Sequence, residues 1–184
     1  MIDTDLVLAR TGGRELRRIV YTPEQIATRV REMGAEITEA YPADEPLLVL
    51  GLLKGSFIFL SDLVREIARP LQVDFLVASS YGAGTTSSGQ VNLVYDPEAK
   101  LKDRHVIIVE DIVDSGTTVN RLMPLLEARG PRSLEMCALL HKHIAPHLVK
   151  DARWIGFDAP NEFLIGYGLD HSEDFRNLPF IGSL

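Results

Sequence analysis

Residues 105–118 read HVIIVEDIVDSGTT, and the order of apolar, acidic and hydroxyl-bearing residues in them sets the expected architecture. His105 to Asp111 is a near-continuous apolar run closed by two carboxylates, Glu110 and Asp111. Such a run reads as a strand buried on both faces. Asp114-Ser115-Gly116-Thr117-Thr118 then replaces apolar side chains with small and hydroxyl-bearing ones. Beyond it Val119, Leu122, Leu125 and Leu126 recur at helical spacing as far as Gly130-Pro131. Pro124 falls inside that pattern and predicts a kink or a late helix start. Strand, glycine loop and helix form the unit from which parallel sheets are assembled.

The flanking segments repeat that alternation. LEMCALL (134–140), LLVLG (47–51) and VDFLVASS (73–80) read as further strands. Thr22-Pro23-Glu24-Gln25 is a helix start: Thr22 caps, Pro23 suits the first position, and Gln25 completes a capping box. Ile26, Val30, Met33 and Ile37 follow as an apolar stripe, broken by Pro42 and Pro46. Phe57, Leu60, Leu63, Val64 and Ile67 make a second stripe, closed by Pro70. Residues 81–104 open with Gly82, Gly84, Thr85, Thr86, Ser87, Ser88 and Gly89, a composition that predicts a long mobile loop. WIGF and FLIGY, around the turn signal Asp158-Ala159-Pro160-Asn161, predict a small hairpin-like subdomain outside the main sheet. The fold expected is therefore α/β, a mainly parallel twisted sheet flanked by helices, with a small hood. One domain is expected over 1–184, its core about residues 20–150 and its hood about 151–184 plus the N-terminal segment.

Composition narrows the function. At 46% hydrophobic and 24% charged, the chain can bury a substantial core. Its longest near-continuous apolar run, Leu47 to Leu53, is far short of the roughly 20 residues a membrane span needs. Asp3 and Asp5 stand where a signal peptide carries positive charge, and the lone Cys137 has no disulfide partner, so a cytoplasmic protein is expected. A net charge of −7 argues against nucleic acid as a partner. It does not exclude a small anion, because backbone amides and a metal ion can reverse the field within one cleft.

In an open α/β sheet, ligands collect beyond the carboxyl ends of the strands, which places Asp111 to Thr118 at the default site. Gly116 lets the backbone approach a ligand, and a loop feeding a helix presents free N–H groups to an anion. Ser115 to Thr118 suit a phosphate monoester, and Glu110 and Asp111 suit ribose hydroxyls or Mg²⁺. Taken alone, the same residues read as readily as a helix cap. Two other phosphate signatures fail: Gly51 to Ser56 lacks Walker A spacing, and Ser87 stands where a dinucleotide fingerprint needs its third glycine.

The ten-residue string VEDIVDSGTT (109–118) resembles the phosphoribosyl-pyrophosphate motif of the type I phosphoribosyltransferases. Its Glu-Asp start and Asp114 are similar to the hypoxanthine-guanine branch. LLKGSFIFLSDLVR (52–65) resembles that family's pyrophosphate loop and following helix, and Ser79-Ser80-Tyr81 the opening of its flexible loop. WIGFDAPNEFLIGYGLDHSEDFRNLPFIG (154–182) resembles its base-binding hood and closing segment.

The resemblance implies a purine-salvage enzyme that moves 5-phosphoribosyl from phosphoribosyl pyrophosphate to hypoxanthine or guanine, giving IMP or GMP and pyrophosphate. Ser115, Gly116, Thr117 and Thr118 would hold the 5-phosphate, and Glu110 and Asp111 the ribose hydroxyls. Asp114 would be the catalytic proton acceptor beside the purine imidazole. Lys54, Gly55 and Arg176 would hold pyrophosphate, with the bond before Lys54 able to be cis. Asp170, with Glu110 and Asp111, would serve Mg²⁺, and Asp170 would also be among the purine-binding residues. Lys142 would donate to the purine 6-oxo group, Phe163 would stack on the base, and the Leu164 backbone would read its edge. Ser80 and Tyr81 would begin a lid. A homodimer or homotetramer is implied.

Without the resemblance, Lys142 reads as a solvated strand-end lysine and Phe163 as core packing. His141 stands where many members carry Asp, and Tyr95 replaces a common basic residue. His141, His143 and His147 invite a metal reading, and two histidines two apart on a strand would share a face, but no carboxylate or thiol is expected to complete the set. The alternatives are the same transfer to xanthine, or a non-catalytic regulator or nucleotide-binding module of this fold.

Overall fold

The apolar runs that begin at residues 47, 105 and 133 lie side by side in the computed structural model, which describes residues 4–80, 91–144 and 147–184. In chain order the first elements are α1 (Thr4–Thr11), β1 (Arg18–Tyr21), α2 (Pro23–Ala40), β2 (Leu47–Leu53), α3 (Phe57–Glu66) and β3 (Leu71–Ser80). There follow β4 (Val91–Tyr95), β5 (His105–Val113), α4 (Thr117–Glu127) and β6 (Ser133–His141). The tail holds β7 (Trp154–Asp158), β8 (Leu164–Ile165) and β9 (Ile181–Ser183).

Six strands form the main sheet in the order β4-β3-β2-β5-β6-β7. All neighbours are parallel except β3 and β4. The apolar runs are continuous because both faces are covered. Val49, Ile107, Val109, Cys137 and Leu139 pack with α2 and α3 residues such as Ile26, Met33, Phe59 and Leu63. Leu48, Leu50, Val106, Ile108 and Met136 pack with Val119, Leu122, Met123 and Leu126 of α4. Each buried leucine or isoleucine contributes about 1.5–3 kcal/mol, so this double layer fixes strand register.

The capping box of α2 is present: the Gln25 N–H donates to Thr22 Oγ1 at 3.3 Å, and the Thr22 N–H to Gln25 Oε1 at 2.9 Å. α4 starts at Thr117 and continues through Pro124, so the late start does not occur.

Two expectations need correction. Residues 81–104 are not one loop: β4 pairs antiparallel with the end of β3, leaving 81–90 outside the described residues. Nor do WIGF and FLIGY pair with each other. Trp154–Asp158 joins the main sheet, parallel to β6, and its outer carbonyls at Ile155 and Gly156 accept from Arg29 at 2.9 and 3.1 Å. Leu164–Ile165 instead enters a second sheet, β1-β9-β8. Behind that sheet Ile165, Phe175, Leu178 and Phe180 form a separate buried cluster, with Val7, Leu16 and Ile19 against it.

Candidate active site

Three neighbouring strands end on the same side of the sheet, and each delivers expected site residues there. Gly51 of β2 is opposite Val109 of β5, which is opposite Cys137 of β6. Lys54 therefore follows β2, Glu110 and Asp111 sit in the last part of β5, and Lys142 follows β6. The Lys142 N–H donates to Val113 O at 2.9 Å, so its backbone position is set by the strand ladder.

The loop from β5 to α4 lines a hollow of about 80 Å³, bounded by Glu110 and residues 112–119. Gly116, at φ 74°, makes the left-handed turn that aims the first amides of α4 into it. Ser115 Oγ and Thr117 Oγ1 stand 3.1 Å apart at its rim. A larger hollow, about 520 Å³, lies between α2, α3 and residues 177–179, and it gathers none of the expected site residues.

The paired carboxylates are costly to charge. Glu110 Oε2 is enclosed with no hydrogen-bond partner among the described residues, and burial, then the neighbouring Asp111, pushes its carboxyl well above the usual range. Burial likewise pushes Asp111 up to about 6, against the pull of its backbone hydrogen bonds and of Arg176. Asp170 lies close enough for its charge to raise Asp111 further. Gly55 is required beside them: a Cβ there would fall 1.8 Å from Asp111 Oδ2. The Leu53–Lys54 bond just before it is cis.

Lys142 Nζ donates to Asp114 Oδ2 at 2.9 Å. The ammonium is largely buried while the carboxylate is half-exposed, so the pair faces outward from the strand ends. Phe163, 54% exposed, stands edge-on to His171 at 5.3 Å and has a free face. It is thus not core packing. Leu164 is buried, paired with Ser183. Ser80 ends β3, and Tyr81 lies outside the described residues.

Arg176 closes the arrangement. Its Nη1 donates to Gly168 O at 2.8 Å, and its Nη2 meets Asp170 Oδ1 at 2.8 Å. Sequence reasoning missed Glu173, whose carboxylate meets both Lys54 and Arg176. Its spacing three residues before Arg176 was the available signal.

The histidine reading changes. β6 ends at His141, and His143 turns at φ 52° so that the two rings lie 4.0 Å apart. Carboxylates do reach them from later in the chain: Asp151 pairs with His141 at 3.1 Å and Asp158 with His143 at 2.6 Å. His147 contributes its carbonyl, which accepts from Asn120 Nδ2 at 2.7 Å. Among the described residues, no three histidines, cysteines or carboxylates converge as a metal cage.

Residues 19–172 match the model of the phosphoribosyl transferase domain. The chain is 43% identical to a hypoxanthine-guanine phosphoribosyltransferase of Dictyostelium discoideum over 171 residues, covering 91% of this chain and 95% of that one. The chain belongs to the hypoxanthine-guanine phosphoribosyltransferase family. A Mycobacterium avium member is 43% identical across 92% of this chain and 86% of its own. A Staphylococcus aureus hypoxanthine phosphoribosyltransferase superposes with a TM-score of 0.89 at 38% identity, covering 99% of this chain and 96% of that one. The chain is thus a phosphoribosyltransferase enzyme with the type I fold, a five-stranded parallel sheet extended by antiparallel β4.

Proposed function

We propose that this enzyme transfers 5-phosphoribosyl from phosphoribosyl pyrophosphate to hypoxanthine or guanine, releasing pyrophosphate. The observation that carries the base assignment is the Lys142–Asp114 pair at the ends of β6 and β5. A 6-oxopurine offers an acceptor at its 6-position and, on its imidazole side, a nitrogen that exchanges a proton. An ammonium and a carboxylate held 2.9 Å apart match those two needs.

Lys142 donates to the 6-oxo group, and Asp114 takes the imidazole proton as the new bond forms at the ribose. Phe163 stacks on the base and the Leu164 backbone reads its edge. Ser115 to Thr118 hold the 5-phosphate with amides and hydroxyls. Glu110 and Asp111 accept from the ribose hydroxyls, which supply the donors that Glu110 Oε2 lacks. Lys54, Gly55 and Arg176 receive pyrophosphate, and Ser80 and Tyr81 open the lid that excludes water.

Mg²⁺ fits this donor set as a cation bound mainly through substrate oxygens and water, needing one or two carboxylates rather than a cage. Asp170 and Asp111 would be those carboxylates, and Glu110, next to Asp111 in the chain, would add to their negative charge when ionised. When bound, the ion supplies charge neutralisation of the leaving group. The proposal places the enzyme in the cytoplasm as a homodimer or homotetramer, which analytical ultracentrifugation checks for assembly.

Pyrophosphate release, followed with phosphoribosyl pyrophosphate, Mg²⁺ and one base at a time, tests the reading. Turnover is expected with hypoxanthine and guanine and not with adenine or uracil. Turnover with xanthine alone would keep the mechanism and remove the base assignment. Silence with every base, in folded protein, would remove the mechanism.

A further inference from the structure

Lys54 and Arg176 lie 122 positions apart in sequence by their numbers, yet one carboxylate joins them. Lys54 Nζ donates to both oxygens of Glu173 at 3.2 Å. Arg176 Nη2 meets Glu173 Oε2 at 3.3 Å while also holding Asp170. The loop that presents Glu173 is held from several sides. Its N–H donates to Asp170 Oδ2 at 2.8 Å. Ser172, Glu173 and Phe175 all take positive φ, 55°, 71° and 75°, a region that L side chains seldom adopt. From the N-terminal segment Arg14 pairs with Asp174 at 2.6 Å and covers the Phe175 ring at 4.1 Å.

A carboxylate bridging two cations imitates one end of a diphosphate: two oxygens, one negative charge, and the same two donors. We propose that Glu173 is an internal stand-in for pyrophosphate, seated on Lys54 and Arg176 when the anion is absent and displaced when it binds. This inference rests on the proposed role of Lys54 and Arg176. Glu173 lies outside the reacting atoms and acts through those cations, so it is a positioning residue. Its carboxylate is exposed to solvent and so carries its charge at neutral pH, as a competitor for those cations must. The consequence is a site whose cations are already gathered but whose hold on the product is weakened by a competitor that returns.

Exposed ion pairs each shift an equilibrium by a factor of about 1.4 to 5. Glu173→Gln, which keeps the side chain's shape and removes its charge, should therefore bind inorganic pyrophosphate with Mg²⁺ about 2- to 25-fold more tightly than the parent by titration calorimetry. The KM for phosphoribosyl pyrophosphate should fall in step, with the KM for the base unchanged. A merely structural residue would move affinity the other way. Lys54→Ala, measured alongside, separates the two readings. If Lys54→Ala weakens pyrophosphate binding but Glu173→Gln binds no more tightly than the parent, the stand-in is overturned and the site reading survives. If Lys54→Ala binds as the parent does, the pyrophosphate assignment itself falls, and the inference with it. Glu173 is well exposed, and a thermal melt confirms that each variant is folded.

Discussion

The loop after β5 and the hood beneath β8 are built in opposite ways. Residues 105–118 supply strand end, turn and helix start from one contiguous stretch, although β5 itself is held between β2 and β6. The hood takes β1 from near the N-terminus and β8 and β9 from the end of the chain, joining Arg18 to Ser183 and Leu164 to Ser183. In the proposed reading the first region holds phosphate with the amides and hydroxyls of that one stretch. The second would place the face that meets the base, and it forms only when distant segments pair. On that reading phosphate binding rests on a contiguous stretch, and base recognition on segments from both ends of the chain.

Asp114→Asn should strike hardest, because it removes the proposed proton acceptor while leaving the loop's shape. General-base help is worth roughly 10² to 10⁴ in rate, so kcat should fall by that factor while phosphoribosyl pyrophosphate still binds. Equal turnover would end the role assigned to Asp114. Phe180→Ala comes next. Phe180 is fully buried in the hood cluster, and its loss should lower stability by about 3–5 kcal/mol in denaturant unfolding. Base affinity should suffer more than affinity for ribose 5-phosphate. Equal loss of both would show that the two regions are one mechanical unit.

Gly55→Ala tests the seam between them. The added Cβ would displace Asp111, an overpacking worth about 1–3 kcal/mol, and should show mainly as weaker phosphoribosyl pyrophosphate binding by calorimetry. The smallest effect is on pH dependence. Asp111 has a folded-state pKa raised to about 6, so its neutral form favours folding. Stability should decline as pH rises from the ordinary aspartate value through about 6, and Asp111→Asn should flatten that decline in thermal melts. The same substitution should weaken substrate binding at pH 7, the opposite sign from its effect on stability.

What the sequence disclosed follows the same division. The Thr22–Gln25 box was legible because its hydrogen bonds close within three residues, and the β5 run because a strand covered on both faces is apolar along its whole length. VNLVY at 91–95 was hidden behind a glycine- and serine-rich stretch, and only its pairing with β3 makes it a strand. WIGF was misread because Asp158-Ala159-Pro160-Asn161 is a sound local turn signal. Its parallel register with Cys137 to His141 is a tertiary choice that no local signal announces. The Lys142–Asp114 pair came only through the family resemblance, since a strand-end lysine alone reads as solvated. Glu173 escaped for the same reason in stronger form: its partner Lys54 lies on another element, and its loop takes positive φ without glycine at those positions.

Lys142, steadied by Asp114, is proposed to read the 6-oxo group. The direct measurement is kcat/KM for hypoxanthine and for adenine, in the parent and in Lys142→Ala. A site built around such a hydrogen bond discriminates by as much as about 10⁴. The parent should therefore favour hypoxanthine strongly, and Lys142→Ala should lose most of that preference through a fall in hypoxanthine turnover. An unchanged hypoxanthine-to-adenine ratio in Lys142→Ala would contradict the account.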